Sequence, residues 1–255
     1  MTPALDPAFL RAPLAHRALH DVDDGRPENS RAAIRAAIAQ GYGIEIDVQL
    51  SADDQAMVFH DYDLARLAHG TGPVRSVPAG TLGGITLRGG DEGVPTLDEV
   101  LDIVAGQVPL LIEIKDQDGG MGVNIGPLEA ATAAALAGYA GPVALMSFNP
   151  HSVARMADLC PDLPRGLVTS AYDPANWPLP EATCARLRDI PNFDRVGASF
   201  ISHEAADLSR PRVAALKAAG AHILCWTIRS PEAEAEARRI AENVTFEGYL
   251  AAQPG

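Results

Sequence analysis

The hexapeptide GIEIDV at residues 43–48 combines a strand pattern with two acidic side chains. Its alternation of apolar and acidic residues predicts a β-strand, with the isoleucine and valine side chains on one face and Glu45 and Asp47 on the other. Two carboxylates that point inward destabilise a protein unless positive charge meets them there. A divalent cation held at the mouth of a barrel is the simplest partner of this kind.

A second stretch, LLIEIK at residues 110–115, repeats the pattern. Glu113 and Lys115 share one face of the predicted strand, and the isoleucines share the opposite face. Packing alone is a poor explanation for two strands that both carry charged side chains on one face. We therefore expect the acidic side chains of the two segments to meet in the folded protein.

Glu45, Asp47 and Glu113 offer only oxygen ligands, which favours a hard cation, Mg²⁺ or Ca²⁺, over Zn²⁺. The alternative is that the three carboxylates pair with Arg17 and Lys115 and bind no metal. Buried ion pairs add little stability by themselves, so the metal site is the preferred interpretation. Arg17 and Lys115 then supply fixed positive charge that suits phosphate oxygens.

Short apolar runs alternate with alanine-rich helical patterns along the chain. Eight strands are predicted, at residues 14–17, 43–48, 56–60, 110–115, 143–146, 165–168, 196–199 and 222–226. Helices are predicted at residues 29–40, 96–104, 127–137, 150–159, 211–219 and 231–242. The alternation predicts a parallel sheet, and eight units in 255 residues favour a closed (β/α)8 TIM barrel over an open sheet.

We expect a single domain over residues 1–255, with a small insertion after the third strand. Residues 61–95 contain many glycines and no sustained helical period, which favours an irregular excursion at the active-site end of the barrel. Loops of this length inside a compact domain are usually functional.

The net charge of −13 argues against a general nucleic-acid-binding protein, because phosphate neutralisation needs clustered Lys and Arg. One small phosphate ligand stays compatible with this charge if its site carries its own cations. No apolar run approaches the roughly 20 residues that cross a bilayer, so no stable membrane insertion is expected. Three widely spaced cysteines without a secretory leader favour reduced thiols and a cytoplasmic location.

The active site of a TIM barrel lies where the strands end at their C-terminal sides. His16 and Arg17 close the first predicted strand, His60 closes the third and Trp226 closes the eighth, so these side chains should converge with the acidic set. The two histidines suit general acid–base work, because their pKa lies near neutrality. Trp226 is equally compatible with a wall for the organic part of a ligand and with a half-buried core aromatic.

At these residues the sequence resembles the glycerophosphodiester phosphodiesterase family. The matching motifs, in the family's order, are His16-Arg17, Pro27-Glu28-Asn29-Ser30, Glu45-x-Asp47, His60-Asp61, Val94-Pro95-Thr96-Leu97, Ile112-Glu113-Ile114-Lys115 and Trp226-Thr227. Each motif alone is weak, but the ordered set is specific and covers residues 14–249. The resemblance implies a (β/α)8 barrel with a small insertion after the third strand.

The same resemblance implies roles for site residues: metal ligands at Glu45, Asp47 and Glu113, an acid–base pair at His16 and His60, and phosphate contacts from Arg17 and Lys115. The chain departs from the family where Gly and Asn are usual, since it carries Ala18 and Arg229 there. The link between the first two motifs is polar and acidic. These departures bear on the substrate more than on the reaction.

The expected reaction is metal-dependent hydrolysis of a small glycerophosphodiester to sn-glycerol 3-phosphate and an alcohol. The nearest alternative is a lysophospholipase D-like enzyme on lipid diesters, which predicts an apolar groove around residues 61–95. A barrel aldolase with Lys115 as a Schiff-base amine and a non-catalytic phosphoester-binding protein are further alternatives. The head group, the metal, the acid and base assignment and the oligomeric state stay open at this point.

Overall fold

Within residues 2–253, which the computed structural model describes, eight parallel strands and one antiparallel strand form a sheet that closes into a barrel. The strands are β1 (Leu14–Ala15), β2 (Gly43–Leu50), β3 (Ala56–Val58), β4 (Leu110–Ile114), β5 (Val143–Ser147), β6 (Arg165–Thr169), β7 (Phe200–Glu204), β8 (His222–Ile228) and β9 (Asn243–Phe246). The barrel closes because β1 pairs in parallel with both β2 and β9. The predicted TIM barrel is confirmed.

The strand β3 is not one of the eight parallel strands that form the barrel wall, which are called staves below. It pairs antiparallel with β2, where Val58 lies opposite Val48. The prediction counts it as the third barrel strand, which is wrong, because the short link at residues 51–55 makes a hairpin and cannot make a parallel crossover. The eighth stave is instead β9, in a C-terminal run to which the prediction gives no place in the barrel. The insertion therefore follows β3 in the chain but lies between the second and third staves.

Two further elements between β6 and β8 differ from the prediction. The strand β7, the sixth of the barrel, begins at Phe200, whereas the prediction places the seventh strand at residues 196–199. Gly197 has a left-handed backbone with φ of 59°, which interrupts an extended strand at that point. The helix α6 (Glu181–Arg188) is not predicted, because only Cys184 and Leu187 of its side chains are buried and the helical period is weak.

The remaining helices surround the barrel or lie in the insertion. They are α1 (Arg31–Ala39), α2 (Ala79–Leu82), α3 (Leu97–Val104), α4 (Pro127–Ala135), α5 (Pro150–Leu159), α7 (Pro211–Ala218) and α8 (Pro231–Ala237). Ser30 accepts a hydrogen bond from Ala33 N and caps α1, and Thr96 forms a capping box with Glu99 at the start of α3. Across residues 2–253, no helix is long and apolar enough to span a bilayer.

The strands separate two apolar layers. Their outward side chains, such as Ile44 and Ile112, pack with the helices in the main core. Their inward side chains form a smaller core inside the barrel, and Leu111, Phe200 and Leu224 belong to it. Along β2 the apolar residues face outward, so the acidic residues between them face into the barrel.

The insertion at residues 61–95 has an apolar core of its own. Leu64, Leu82 and Leu87 are buried there, and Met57 and Phe59 from the β3 segment pack against them. This core holds the segment although it contains no helix longer than the four residues of α2. Most of its apolar side chains therefore pack against one another inside the insertion.

Gly93 is where the insertion packs most closely. A Cβ atom there would overlap the backbone carbonyl of Gly83, which has no flexible end that could move away. Gly93→Ala is expected to lower the free energy of unfolding by about 1–3 kcal/mol, the usual cost of overpacking. Urea denaturation followed by circular dichroism measures this.

The matched control is Gly80→Ala in α2, where an added Cβ meets nothing within 4 Å. This substitution is expected to be neutral or to stabilise by about 0.4–1 kcal/mol, because alanine restricts the unfolded chain. Equal stability of the Gly93→Ala protein and the wild type would contradict the close contact.

Candidate active site

The three acidic side chains from the two strand patterns meet at the mouth of the barrel. Asp47 on β2 and Glu113 on β4 are direct partners in the parallel register, and Glu45 lies one inward position below Asp47. One carboxylate oxygen from each lies within 4.8 Å of the others. The three residues are 2%, 1% and 7% exposed for Glu45, Asp47 and Glu113, so they form one buried acidic group.

Two cations face this acidic group. Lys115 Nζ lies 2.8 Å from Glu113 Oε1 and 3.4 Å from Asp47 Oδ1. Arg17 places Nε 3.6 Å from Asp47 Oδ2, and its backbone N–H donates to Glu45 Oε2 at 2.9 Å. Burial alone would lower the pKa of Lys115, but the carboxylates of Glu113 and Asp47 raise it above its usual value. Lys115 is therefore a fixed ammonium group.

Charge in the acidic group is unevenly balanced. Burial and the charges of Asp47 and Glu113 raise the pKa of Glu45 well above its usual range. For Asp47, burial would raise the pKa, but the positive charges of Lys115, His60 and Arg17 outweigh it and lower the pKa. The backbone hydrogen bond and the positive charge of Arg17 lower the pKa of Glu45, but they do not outweigh its burial and its acidic neighbours.

These residues fit a hard divalent cation. Their oxygens are close enough to share one ion, and the donor set of three carboxylates is the type that Mg²⁺ and Ca²⁺ prefer. A bound cation would also add the positive charge that is needed to offset the burial of Glu45. The alternative of carboxylates paired only with Arg17 and Lys115 leaves that burial of Glu45 unexplained.

Asn29 holds Asp47 in place, a role that the sequence pattern does not reveal. Its Nδ2 donates to Asp47 Oδ2 at 3.0 Å, and the backbone N–H of Asp47 donates to Asn29 Oδ1 at 3.3 Å. Asn29 is buried and has a left-handed backbone with φ of 60°, which asparagine tolerates better than most residues. Its own N–H donates to the carbonyl of Arg17 at 2.8 Å, so one residue connects both sides of the site.

His60 reaches the mouth through the β2–β3 hairpin and not at the end of a stave. The hairpin turns the chain back along β2, and the N–H of Phe59 donates to Asp47 O at 3.0 Å. His60 Nδ1 lies 2.6 Å from Asp61 Oδ1, and Arg66 donates to both oxygens of Asp61 at 2.6 and 2.7 Å. The imidazole therefore has a carboxylate partner that is itself held by an arginine.

Glu28 connects Arg66, which holds the carboxylate partner of His60, to Arg17. It accepts hydrogen bonds from Arg66 at 3.1 Å and from Arg17 Nη1 at 2.8 Å. The Pro-Glu-Asn motif therefore supplies two supporting residues, Glu28 for the arginines and Asn29 for Asp47. The order of motifs in the sequence identified Pro27-Glu28-Asn29-Ser30, but it predicted neither the contact of Glu28 with Arg17 nor that of Asn29 with Asp47.

His16 lies directly after β1. Its Nδ1 is 2.5 Å from Oε2 of Glu247, the residue that follows β9. Burial lowers the pKa of His16, the positive charge of Arg17 lowers it further, and the hydrogen bond to Glu247 opposes both. Sequence reasoning missed Glu247, although its position after an apolar run was a usable signal.

Trp226 belongs to an aromatic cluster on the same end of the barrel. Its ring centroid lies 5.6 Å from that of Phe148, and its Nε1 donates to Ser202 O at 3.0 Å. Tyr172 and Trp177 complete the cluster with centroids 4.8 Å apart. Trp226 is half-buried, so the geometry allows both a packing role and a ligand-facing role.

This arrangement agrees with the comparison to known proteins. The model of the glycerophosphoryl diester phosphodiesterase family matches residues 16–246. The chain belongs to this family. Membership makes it a phosphoric diester hydrolase, and the resemblance stated from the motifs is confirmed.

Individual relatives agree with this membership. The YhdW protein of Bacillus subtilis is 27% identical over 82% of this chain and 84% of its own length. A glycerophosphodiester phosphodiesterase of Caldanaerobacter subterraneus is 32% identical over 56% of this chain and 61% of its own. A phosphodiesterase structure from Oleispira antarctica, in complex with the product sn-glycerol-3-phosphate, has a TM-score of 0.76, 25% identity and 94% coverage of both chains.

Proposed function

We propose that this protein hydrolyses glycerophosphodiesters to sn-glycerol 3-phosphate and an alcohol, with Mg²⁺ or Ca²⁺ bound at the acidic group. The observation that carries the proposal is the convergence of three buried carboxylates, two fixed cations and two carboxylate-paired imidazoles at one end of the barrel. The product bound to the Oleispira antarctica relative supports this choice of substrate.

Glu45, Asp47 and Glu113 would hold the divalent cation. A cation bound there would act as a Lewis acid on the phosphate and would make the phosphorus more electrophilic. Lys115 contacts the carboxylates of both Glu113 and Asp47 and holds them near one point. Asn29 does the same for Asp47 through two hydrogen bonds.

Arg17 and Lys115 stabilise the negative charge that builds up on the equatorial oxygens of the reacting phosphate. Both are held before the substrate arrives, Arg17 by Glu28 and Lys115 by Glu113. Such preorganised charges cost little reorganisation at the moment of reaction. Trp226 provides a wall for the organic part of the substrate.

His16 and His60 move the protons. One accepts a proton from the nucleophile, which is water or a neighbouring hydroxyl of the substrate, and the other donates a proton to the leaving oxygen. Each imidazole has its Nδ1 on a carboxylate, Glu247 for His16 and Asp61 for His60. The Nε2 atoms are therefore the nitrogens that exchange protons with the substrate.

The alternatives receive less support. A lysophospholipase D-like enzyme needs an apolar groove, but the large apolar side chains of the insertion are buried or partly buried against its own core, apart from the half-exposed Tyr62. An aldolase needs a neutral lysine, whereas the carboxylates around Lys115 hold it protonated. A binding protein needs neither histidine, and both are present beside the acidic group. We retain a single domain, a cytoplasmic location and a small-molecule substrate as parts of the proposal.

Removal of metal is expected to abolish hydrolysis. Prolonged dialysis against EDTA should lower the rate on a panel of glycerophosphodiesters to background, because the uncompensated carboxylates would then face the phosphate. Added Mg²⁺ or Ca²⁺ should restore the rate, and the more effective ion identifies the metal. Phosphate-ester products are measured by phosphorus NMR.

Full activity after EDTA treatment would contradict the metal requirement. This conclusion needs emission spectrometry to show less than about one metal ion per hundred chains. Circular dichroism of the treated protein is the control, since an unfolded chain would also be inactive. A panel without any hydrolysis in the presence of both ions would contradict the proposed substrate class.

A further inference from the structure

Backbone hydrogen bonds fix Glu247 beside His16. The N–H of Glu247 donates to Ile228 O at 2.9 Å, at the end of β8. The N–H of His16 donates to Phe246 O, also at 2.9 Å, at the end of β9. The closure of the barrel between β1 and β9 therefore places this carboxylate against this imidazole.

Both oxygens of the Glu247 carboxylate are in use. Oε2 lies 2.5 Å from His16 Nδ1, and Oε1 accepts from Arg229 Nε at 2.8 Å and lies 2.7 Å from its Nη2. His20 competes for Oε2, since its Nε2 is 3.6 Å away. The two donors of Arg229 hold the carboxylate in the plane that serves His16.

The contact with Arg229 has little value for stability but a clear effect on geometry. The side chain of Arg229 is 66% exposed, and exposed ion pairs contribute little to folding. Glu247 and His20 line a cavity of about 390 Å³, so the carboxylate has room to swing away from His16 if Arg229 releases it. Arg229 thus keeps the Glu247 carboxylate on His16 and away from His20.

The carboxylate also selects the tautomer of His16. A carboxylate accepts hydrogen bonds, so the Nδ1 that faces it must carry the proton. Nε2 of His16 has no hydrogen-bond partner among the residues that the structure describes. It is the nitrogen left to take or give a proton, in the arrangement known from carboxylate–histidine pairs in hydrolases.

We propose that Glu247, clamped by Arg229, is a positioning residue that fixes the tautomer and the ring orientation of His16. The departure from the resembled family at Arg229 then acts on the histidine and not on the head group of the substrate. The kinetic test of this inference rests on the proposed function, and its spectroscopic test does not.

The kinetic test uses Glu247→Gln and Arg229→Met, each alone and combined with His16→Ala, on sn-glycero-3-phosphocholine. Glu247→Gln should lower kcat about 10-fold or more, but by less than His16→Ala, with KM changed by less than about 2-fold. Arg229→Met should give a smaller loss of the same kind. In the His16→Ala background both effects should disappear, because nothing is left to position.

Glu242→Gln is the matched control, because Glu242 Oε2 lies 2.8 Å from His222 Nδ1 in a similar contact. This pair lies at the start of β8, outside the active site. It should keep the kcat of the wild type, and Glu247→Asp should recover part of the loss in Glu247→Gln. The inference is overturned if Glu247→Gln keeps the wild-type kcat. It is equally overturned if the loss is the same with and without His16.

The spectroscopic test is long-range nitrogen–proton NMR of the histidine rings in the folded protein without substrate. The wild type should show His16 with its proton on Nδ1, and Glu247→Gln should show a mixture of tautomers. An unchanged tautomer in Glu247→Gln overturns the inference. If the wild type hydrolyses no glycerophosphodiester, the proposed function fails while this measurement still decides the role of Glu247.

Discussion

His16→Ala and His60→Ala are each expected to lower kcat by about 10²–10⁴-fold, the usual contribution of a general acid or base. The two imidazoles flank the acidic group, and each is oriented by a carboxylate on Nδ1, at 2.5 Å from Glu247 and 2.6 Å from Asp61. Steady-state hydrolysis of a glycerophosphodiester measures the loss. His222→Ala is the control, because His222 also pairs with a carboxylate but lies outside the site.

The identity of the leaving group separates the two roles. A p-nitrophenol leaving group needs no proton, so the loss caused by removing the general acid should shrink on such an ester. The loss caused by removing the base should persist on both kinds of substrate. Wild-type turnover in both alanine variants would defeat acid–base catalysis by these residues.

The acidic group was predictable because local periodicity is enough to define it. The period of two in residues 43–48 and 110–115 sets which side chains share a face, whatever the rest of the fold. The register that pairs Asp47 with Glu113 then follows once both segments are neighbouring parallel strands. Three ligand candidates from two segments could therefore be named without knowledge of the barrel closure.

The partners of the histidines were not predictable in the same way. Glu247 lies 231 residues from His16 in the chain, and only the pairing of β1 with β9 brings them together. Periodicity tells which way a side chain points but not which distant residue it meets. For the same reason, the sequence analysis related Arg229 to the substrate and not to His16.

The miscounted strand had a limited effect on the site. The prediction placed His60 at the mouth because it took β3 for a barrel strand that ends there. The position is right although the reason is wrong, because a hairpin that turns back along β2 brings His60 to the same place. The real path is the antiparallel turn, in which Phe59 bonds to the carbonyl of Asp47. The short link at residues 51–55 was the signal, because parallel connections need about a dozen residues or more.

Asp47→Asn is expected to reduce activity by at least about 10²–10³-fold, since loss of metal-based charge stabilisation costs several kcal/mol and each 1.36 kcal/mol is tenfold. The amide keeps the shape of Asp47, but it removes the charge that faces Lys115 Nζ at 3.4 Å and Arg17 Nε at 3.6 Å. It also gives the hydrogen-bond donor Asn29 a weaker acceptor. Affinity for Mg²⁺ and Ca²⁺, measured by titration calorimetry, should fall together with kcat.

The matched control is Asp102→Asn on the exposed face of α3, which changes the net charge equally and lies outside the site. It should leave both metal affinity and kcat as in the wild type. Lys115 keeps its 2.8 Å contact with Glu113 in the Asp47→Asn protein, so the fold should survive and the loss should be chemical. An Asp47→Asn protein with wild-type metal affinity and turnover would show that this carboxylate is a structural partner of the two cations, and the acidic group would then need another explanation.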